Sequence, residues 1–222
     1  MMFQLPEQIS AVGALAWTFA SYGQKAAMST AFGPSGIVLM DLAAKINPGA
    51  RVFFIDTGYH FEETLQMVDR VQKRFDINLE VIKPKRSVAD QEAECGELYT
   101  LEPDRCCAMR KVEPNQRMLE SMDAWITGLR RDQSRSRAGM AAWSQVQTDT
   151  KTILKVNPLI RWTKKDVWTH IHKERLPYNP LHDEGYLSVG CKPCTRASTD
   201  LNDERSGRWA GHAKTECGLH TL

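Results

Sequence analysis

Apolar and polar positions in the first half of this chain follow a strand period and a helix period in turn. Residues 26–32 (AAMSTAF) form a continuous small-to-apolar run of strand length that stops at Gly33-Pro34-Ser35-Gly36, a turn. Within 36–46 (GIVLMDLAAKI), Leu39, Leu42, Ala43 and Ile46 recur at helical spacing, and Asn47-Pro48-Gly49 ends that helix. RVFFID (51–56) reads as a second strand closing on Thr57-Gly58. Phe61, Leu65, Val68 and Phe75 mark one face of a second helix, widened by Met67 and Val71, and LEVIK (79–83) makes a third strand before Pro84. This β-α-β-α-β order predicts an α/β fold, a doubly wound and mostly parallel sheet with flanking helices. AWITGL (124–129) and TILKVNPL (152–159) extend the sheet, and helices are expected over 105–121 and 163–174. Residues 177–222 show neither period and are rich in Gly, Pro, His, Arg and Cys, so something other than an apolar core must organise them.

Composition narrows the class. The 222 residues fit one globular domain with a sizeable core, and 42% hydrophobic with 25% charged residues is ordinary for a soluble protein. A net charge of +2 does not mark a whole-chain nucleic-acid binder, but leaves room for a local basic site for a small anion. No apolar run reaches membrane-spanning length and no signal peptide is recognised, which sets a cytoplasmic, reducing compartment as the expectation.

In that compartment paired cysteines point to metal or redox work rather than a disulfide framework. Cys106 and Cys107 are adjacent in DRCCAMRKVEP, and Cys191 and Cys194 form a CxxC in GCKPCTR. Two pairs supply four soft ligands, enough for zinc or an iron–sulfur cluster. Neighbouring side chains on a helix diverge by about 100°, so a single tetrahedral zinc accepts both Cys106 and Cys107 only with strain. A cluster with several metal corners takes each on a different iron, which favours iron–sulfur. A buried cysteine acting as a small hydrophobe suits Cys95, which belongs to neither pair. Cys217, five residues from the chain end, is either a nucleophile on a terminal segment or an inert exposed thiol; nearby cations would favour its reactive thiolate.

Other elements suit an anion. STAFGPSG leads from the first strand into a helix, whose N-terminus offers backbone donors, though it lacks the GK(S/T) ending of a Walker loop. Asp56-Thr57-Gly58 follows the second strand, at the sheet edge where doubly wound folds bind ligands. Arg130, Arg131, Arg135 and Arg137 cluster in GLRRDQSRSR, with Arg110, Lys111, Arg205 and Arg208 elsewhere. Each alone reads as solvated surface charge; gathered around one pocket they would bind a phosphate bidentately. The competing reading is an RNA-binding stripe with Trp143, Trp162, Trp168 and Trp209 as stacking platforms.

The chain resembles the assimilatory phosphosulfate reductase family, in particular its iron–sulfur adenylylsulfate (APS) reductases. The resemblance runs from about residue 26 to the end. It rests on DTGYHFEET, CC-x-x-RKVEP, TGLRRDQS, LPYNPLH-x-x-GY-x-S-x-GC-x-PCTR, GRW and the terminal ECGLH. It implies an adenine nucleotide alpha hydrolase-like fold. Residues 1–176 would form its nucleotide-binding part, and 177–222 a metal-stabilised C-terminal segment of the same domain that carries the nucleophile.

The resemblance further implies a 4Fe-4S cluster on Cys106, Cys107, Cys191 and Cys194, and Cys217 as nucleophile toward the sulfur of APS. Lys111, Arg137, Arg205 and Arg208 would surround the phosphosulfate, with Arg135 an alternative to Arg137. Ser29, Thr30, Gly33, Asp56, Thr57 and Gly58 would bind the nucleotide. The electron donor would be a thioredoxin- or glutaredoxin-type dithiol protein, with no nucleic-acid or membrane partner; homo-oligomer formation is left open. The four cluster cysteines favour APS over 3′-phospho-APS (PAPS), whose reductase is the nearest alternative. An ATP-pyrophosphatase-type enzyme shares the fold, but the SGGxDS loop is missing. One departure stands out: the family's loop usually reads like SFGAED, where this chain has AFGPSG, and Pro34 removes a backbone donor. The region before residue 20 carries no part of the resemblance.

Overall fold

The computed structural model describes residues 8–198, 200, 203–209, 214 and 216–219. Its centre is a six-stranded sheet. Strands β1 (Ala26–Thr30), β2 (Ala50–Ile55), β3 (Ile77–Ile82), β4 (Ala124–Ile126), β5 (Trp143–Gln147) and β6 (Thr152–Val156) lie in the order β3-β2-β1-β4-β6-β5. All neighbours are parallel except β5 on β6. The predicted doubly wound sheet is therefore present, with an antiparallel edge strand that the apolar pattern did not signal.

Strands β1 and β2 are central because they are apolar on both faces: Ala26, Ala27, Met28, Val52, Phe53 and Phe54 are all buried. Helices α1 (Ala11–Tyr22), α2 (Pro34–Ile46), α3 (Glu62–Arg74) and α8 (Lys164–Glu174) contribute to the larger core, where Leu15, Phe19, Leu39, Met67, Val71, Val167 and Ile171 pack with Met28, Val52 and Phe54. A second core joins Phe53, Trp125, Val146 and Ile153 to Met118 and Leu119 of α7 (Glu113–Leu119). Between α3 and α7 the chain forms α4 (Val88–Cys95), α5 (Leu98–Leu101) and α6 (Pro103–Cys107).

Strands β1, β2 and β3 shift by one or two residues at their ends, and larger differences from the sequence reading lie elsewhere. Helix α2 starts at Pro34 rather than Gly36, with proline in the first turn, where its missing N–H has no intrahelical partner to lose. Strand β4 ends at Ile126 and β6 at Val156, each three residues early; just beyond them the Thr127 hydroxyl donates to Asn157 Oδ1. The helix expected over 105–121 is present but interrupted: Ala108–Val112 forms a π turn between α6 and α7. Helix α1, most of it in the region that carries no part of the resemblance, is capped by Ser10 and buries Ala14, Leu15 and Phe19. In 177–198 the regular structure is two short 3-10 turns, Pro180–His182 and Lys192–Cys194, in keeping with the lost periodicity.

The order of strands places the site. From β1 the chain builds outward through β2 to β3, then returns to start the other half at β4 beside β1. Such a reversal opens a crevice between the carboxyl ends of the two strands. Ser29 and Thr30 end β1 on one side of it, and Thr127, Gly128 and Leu129 follow β4 on the other.

Candidate active site

A cavity of about 390 Å³ occupies that crevice, within the size range of small-molecule sites. Of the residues expected to bind substrate, Ser29, Thr30, Gly33, Thr57, Lys111, Arg137, Arg205 and Arg208 line it, as does Cys217. Asp56 and Gly58 do not. Asp56 instead accepts from the Gly58 amide at 2.9 Å, shaping the turn that presents Thr57. Gly58 has φ +76 and lies against Val88 and the Arg110 guanidinium, so a side chain there would be strained and crowded.

The π turn separates two neighbouring cations. Lys111 points to the cavity. Arg110 turns away, donating to the carbonyls of Thr57 and Arg86 at 2.8 Å each and to that of Ser87 at 3.3 Å, with its guanidinium 5.5 Å from the Tyr59 ring centre. Arg110 is thus a structural clamp under the Thr57 loop. Arg135 is exposed, whereas Arg137 is buried in the cavity wall.

Arg208 and Trp209 give the cationic wall its shape. The Trp209 indole is only 2% exposed and has φ +48. Around its ring stand Arg208 at 4.6 Å, Arg205 at 5.4 Å and Lys214 at 5.6 Å, an arrangement stabilised by cation–π attraction. Arg208 also passes so close to Gly190 that any Cβ there would overlap the guanidinium. The tryptophans weighed as RNA-stacking platforms turn inward: Trp209 is buried, Trp162 and Trp168 pack on the larger core, and Trp143 packs near Ala14.

Electrostatics converge on Cys217. Burial alone pushes its thiol up, but Lys111, a hydrogen bond from the Leu219 amide, and Arg208 and Arg205 outweigh burial and hold it below its ordinary value. Burial likewise opposes charge on Lys111, and the sulfurs of Cys191 and Cys217 more than offset it, so the ammonium is retained.

The four paired cysteines meet beside this cavity. Cys106, Cys107, Cys191 and Cys194 line one closed pocket of about 10 Å³ with Tyr59, Tyr99, Arg110 and Lys111. The CxxC loop is fixed there by Lys192 N–H to the Tyr59 carbonyl (2.7 Å), Trp209 N–H to the Cys194 carbonyl (3.0 Å) and a Thr57 hydroxyl contact to Cys191 Sγ (3.3 Å). Among the described residues, no three Cys, His, Asp or Glu side chains converge as they would on a single metal ion. As free thiols, Cys106 is pushed up to about 12 by burial and by its neighbouring sulfurs, and burial also raises Cys107 and Cys194. A crowded set of soft donors that resist ionisation unaided fits a thiolate-ligated centre with charge of its own. Cys95 stands apart, accepting from Arg105 at 3.4 Å.

Several lining residues escaped the sequence reading. His60 of DTGYH lines the cavity with Nε2 bound to the Ile55 carbonyl (3.0 Å) and Nδ1 without a partner; burial pushes it down to about 4, so it is neutral. Asn115, one turn after Lys111, is 1% exposed with an unpartnered amide nitrogen. Its i+4 spacing from Lys111 is the signal that could have found it. Arg130, by contrast, was among the clustered arginines of the sequence; it lines the cavity and donates to Ser35 Oγ (2.5 Å), Asp132 (2.8 Å) and Glu204 (2.9 Å).

A doubly wound α/β sheet with a cation-walled crevice at its switch point, and a cysteine thiol inside it, is an arrangement suited to a phosphate-bearing ligand. The comparisons make the class specific: the phosphoadenosine phosphosulfate reductase domain matches residues 25–197, and the chain belongs to that family. An adenosine 5′-phosphosulfate reductase 2 of Bacillus subtilis (strain 168) is 45% identical, covering 98% of this chain and 92% of its own. A phosphoadenosine 5′-phosphosulfate reductase of Gloeobacter violaceus is 48% identical, covering 96% and 90%. Among solved structures, the phosphoadenylyl-sulfate reductase of Candida auris, in a phosphate complex, superposes with TM-score 0.72 at 30% identity, over 84% of this chain and 90% of that one.

Proposed function

We propose that this chain reduces APS to sulfite and AMP in sulfate assimilation, with Cys217 as nucleophile and a thioredoxin- or glutaredoxin-type protein as electron donor. The observation that carries the reading is the half-buried Cys217 thiol, held ionisable by Lys111, Arg208 and Arg205 in the crevice at the sheet switch point. The family relation and the APS reductase of B. subtilis supply the substrate class. A phosphate complex of the C. auris relative is in keeping with an anion in such a site.

In this reading the nucleotide lies against Ser29, Thr30, Gly33 and Thr57. The Cys217 thiolate attacks the sulfur of the phosphosulfate; a sulfur–sulfur bond forms, the sulfur–oxygen bond breaks, and AMP leaves with that electron pair. Lys111, Arg205 and Arg208 stabilise the charge developing on the phosphate oxygens. The donor's thiolate then attacks Cys217 Sγ and expels sulfite. The donor's second thiol closes a disulfide and returns Cys217 as a thiol, so the two electrons come from the donor.

Cys106, Cys107, Cys191 and Cys194 would hold a 4Fe-4S cluster, which when bound supplies charge beside Lys111 and a fixed anchor for the CxxC loop. Thiols account for both electrons, so the cluster is not needed as an electron carrier. No described helix is long and apolar enough to cross a membrane, and the thiol chemistry suits the cytoplasm. The PAPS reading is kept because the G. violaceus relative carries that name.

Incubating the protein with sulfur-labelled APS and no dithiol tests the reaction class. Wild type is expected to retain one label per Cys217 and Cys217→Ser none; label retained by the serine variant would sink the proposal. The ratio of kcat/KM for APS and PAPS then decides the nucleotide.

A further inference from the structure

Arg137 was expected to bind the phosphosulfate, and its guanidinium already serves a second purpose. Nε and Nη2 grip the two carboxylate oxygens of Glu216 at 2.9 Å each, and Nη1 donates to Gln133 Oε1 at 2.6 Å. Glu216 directly precedes Cys217 and also meets Arg205 at 3.2 Å. Its side chain is 16% exposed; burial raises its pKa, and Arg137 and then Arg205 outweigh that, so the carboxylate is charged. A fork of two parallel hydrogen bonds fixes orientation as well as distance, and a partly buried one is stronger than an exposed ion pair.

The same loop uses the device twice. Arg130, seven residues before Arg137, pairs with Glu204 at 2.9 Å. Two described stretches of the C-terminal segment, 203–209 and 216–219, are therefore tied by a glutamate to an arginine of the LRRDQSRSR loop.

We propose that Glu216 is the positioning residue for the nucleophile, and that Arg137 acts through Glu216, docking the Cys217 segment in the cavity. The inference rests on the APS-reductase reading for its kinetic arm only. In Glu216→Gln the acceptor pair becomes one acceptor and one donor facing N–H groups, so the fork is lost.

The test uses the cluster-loaded full chain. Glu216→Gln is expected to slow S-sulfonate formation from APS by 10- to 100-fold, a loss of about 1.4–2.7 kcal/mol, while AMP binds within twofold of wild type. Glu216→Asp, which keeps the charge, is expected to recover part of the rate. Iodoacetamide should alkylate Cys217 at least severalfold faster in Glu216→Gln with no substrate present, a readout independent of APS chemistry. A double-mutant cycle decides the role of Arg137: Arg137→Met on top of Glu216→Gln should cost little more than either change alone. Additive losses, or an Arg137→Met variant whose AMP affinity falls while Glu216→Gln keeps both wild-type rate and alkylation, would overturn the proposal. Should wild type itself form no S-sulfonate, the functional reading fails, and the alkylation arm still judges the dock.

Discussion

Lys111→Met isolates the electrostatic heart of the site. Lys111 is the strongest of the influences that hold the Cys217 thiol down, and burial is the influence that opposes them. Without the ammonium, burial gains the upper hand and the thiol moves up, so less thiolate is present at neutral pH. The same cation would face the charge leaving with AMP, and loss of one such preorganised donor costs ~3–4 kcal/mol, about 100- to 1000-fold in rate. Methionine matches the length and apolar stem of lysine, so the wall of the cavity keeps its packing. The assay is rapid-quench formation of labelled S-sulfonate in a single turnover, on preparations of equal iron content. A parallel pH profile of Cys217 alkylation should show its midpoint displaced upward in the variant. A Lys111→Met protein that sulfonates within threefold of wild type, with an unmoved alkylation midpoint, would refute the assignment of Lys111.

Asn115→Leu should trade affinity for stability. Removing a buried, unpartnered amide relieves about 1–3 kcal/mol, which at ~2–4 °C per kcal/mol for a chain this long raises Tm by roughly 2–12 °C in calorimetry; AMP should bind more weakly, and a lowered Tm contradicts the orphaned-donor assignment. Lys155 is pushed down from 10.5 to about 8, first by burial and then by Arg137. Below pH 8 the folded state bears the full cost of the buried ammonium. Between pH 8 and 10.5 the unfolded chain binds more protons, so stability rises with pH and recovers about 3 kcal/mol. Urea unfolding of wild type against Lys155→Met should show a stability gap that narrows over this window; a constant gap rules the shift out.

What the sequence disclosed follows from where its signals are local. Strands β1 and β2 and helices α2, α3 and α8 were legible because each carries a sustained period ended by Gly, Pro or a Thr163 cap. The end of β4 was not, because Thr127-Gly128-Leu129 is as compatible with a strand as with a crevice wall. Helix α1 is apolar on most faces, and β5 is a short, half-exposed edge strand, so neither shows a clean period. The π turn adds one residue to a helical hydrogen-bond ring and leaves no mark in composition, yet it carries both Lys111, which faces the cavity, and Arg110, which does not. At the site, the cysteine pairs and the clustered arginines stood out by spacing. The pairing of Arg130 with Glu204 and Arg137 with Glu216 joins residues 74 and 79 apart, a relation only the fold can supply.

That long-range pairing bears on how one thiol can serve two partners. In the proposed cycle Cys217 first attacks a small anion inside the crevice and then meets the sulfur of a second protein. Anchoring its segment by apolar burial would tie each release to exposure of core, at about 25 cal/mol per Å². Anchoring it by carboxylate–guanidinium pairs at the cavity wall ties release to rehydration of two ions, which water largely compensates. Opening of such a segment can then cost a fraction of the 5–15 kcal/mol or so that holds a domain together. Sulfonation replaces the thiolate by a bulkier group of the same charge next to Glu216, which already shares Arg205. Added bulk at that shared guanidinium, not added charge, is what would loosen the dock once the first step is complete and let the donor protein reach the sulfur.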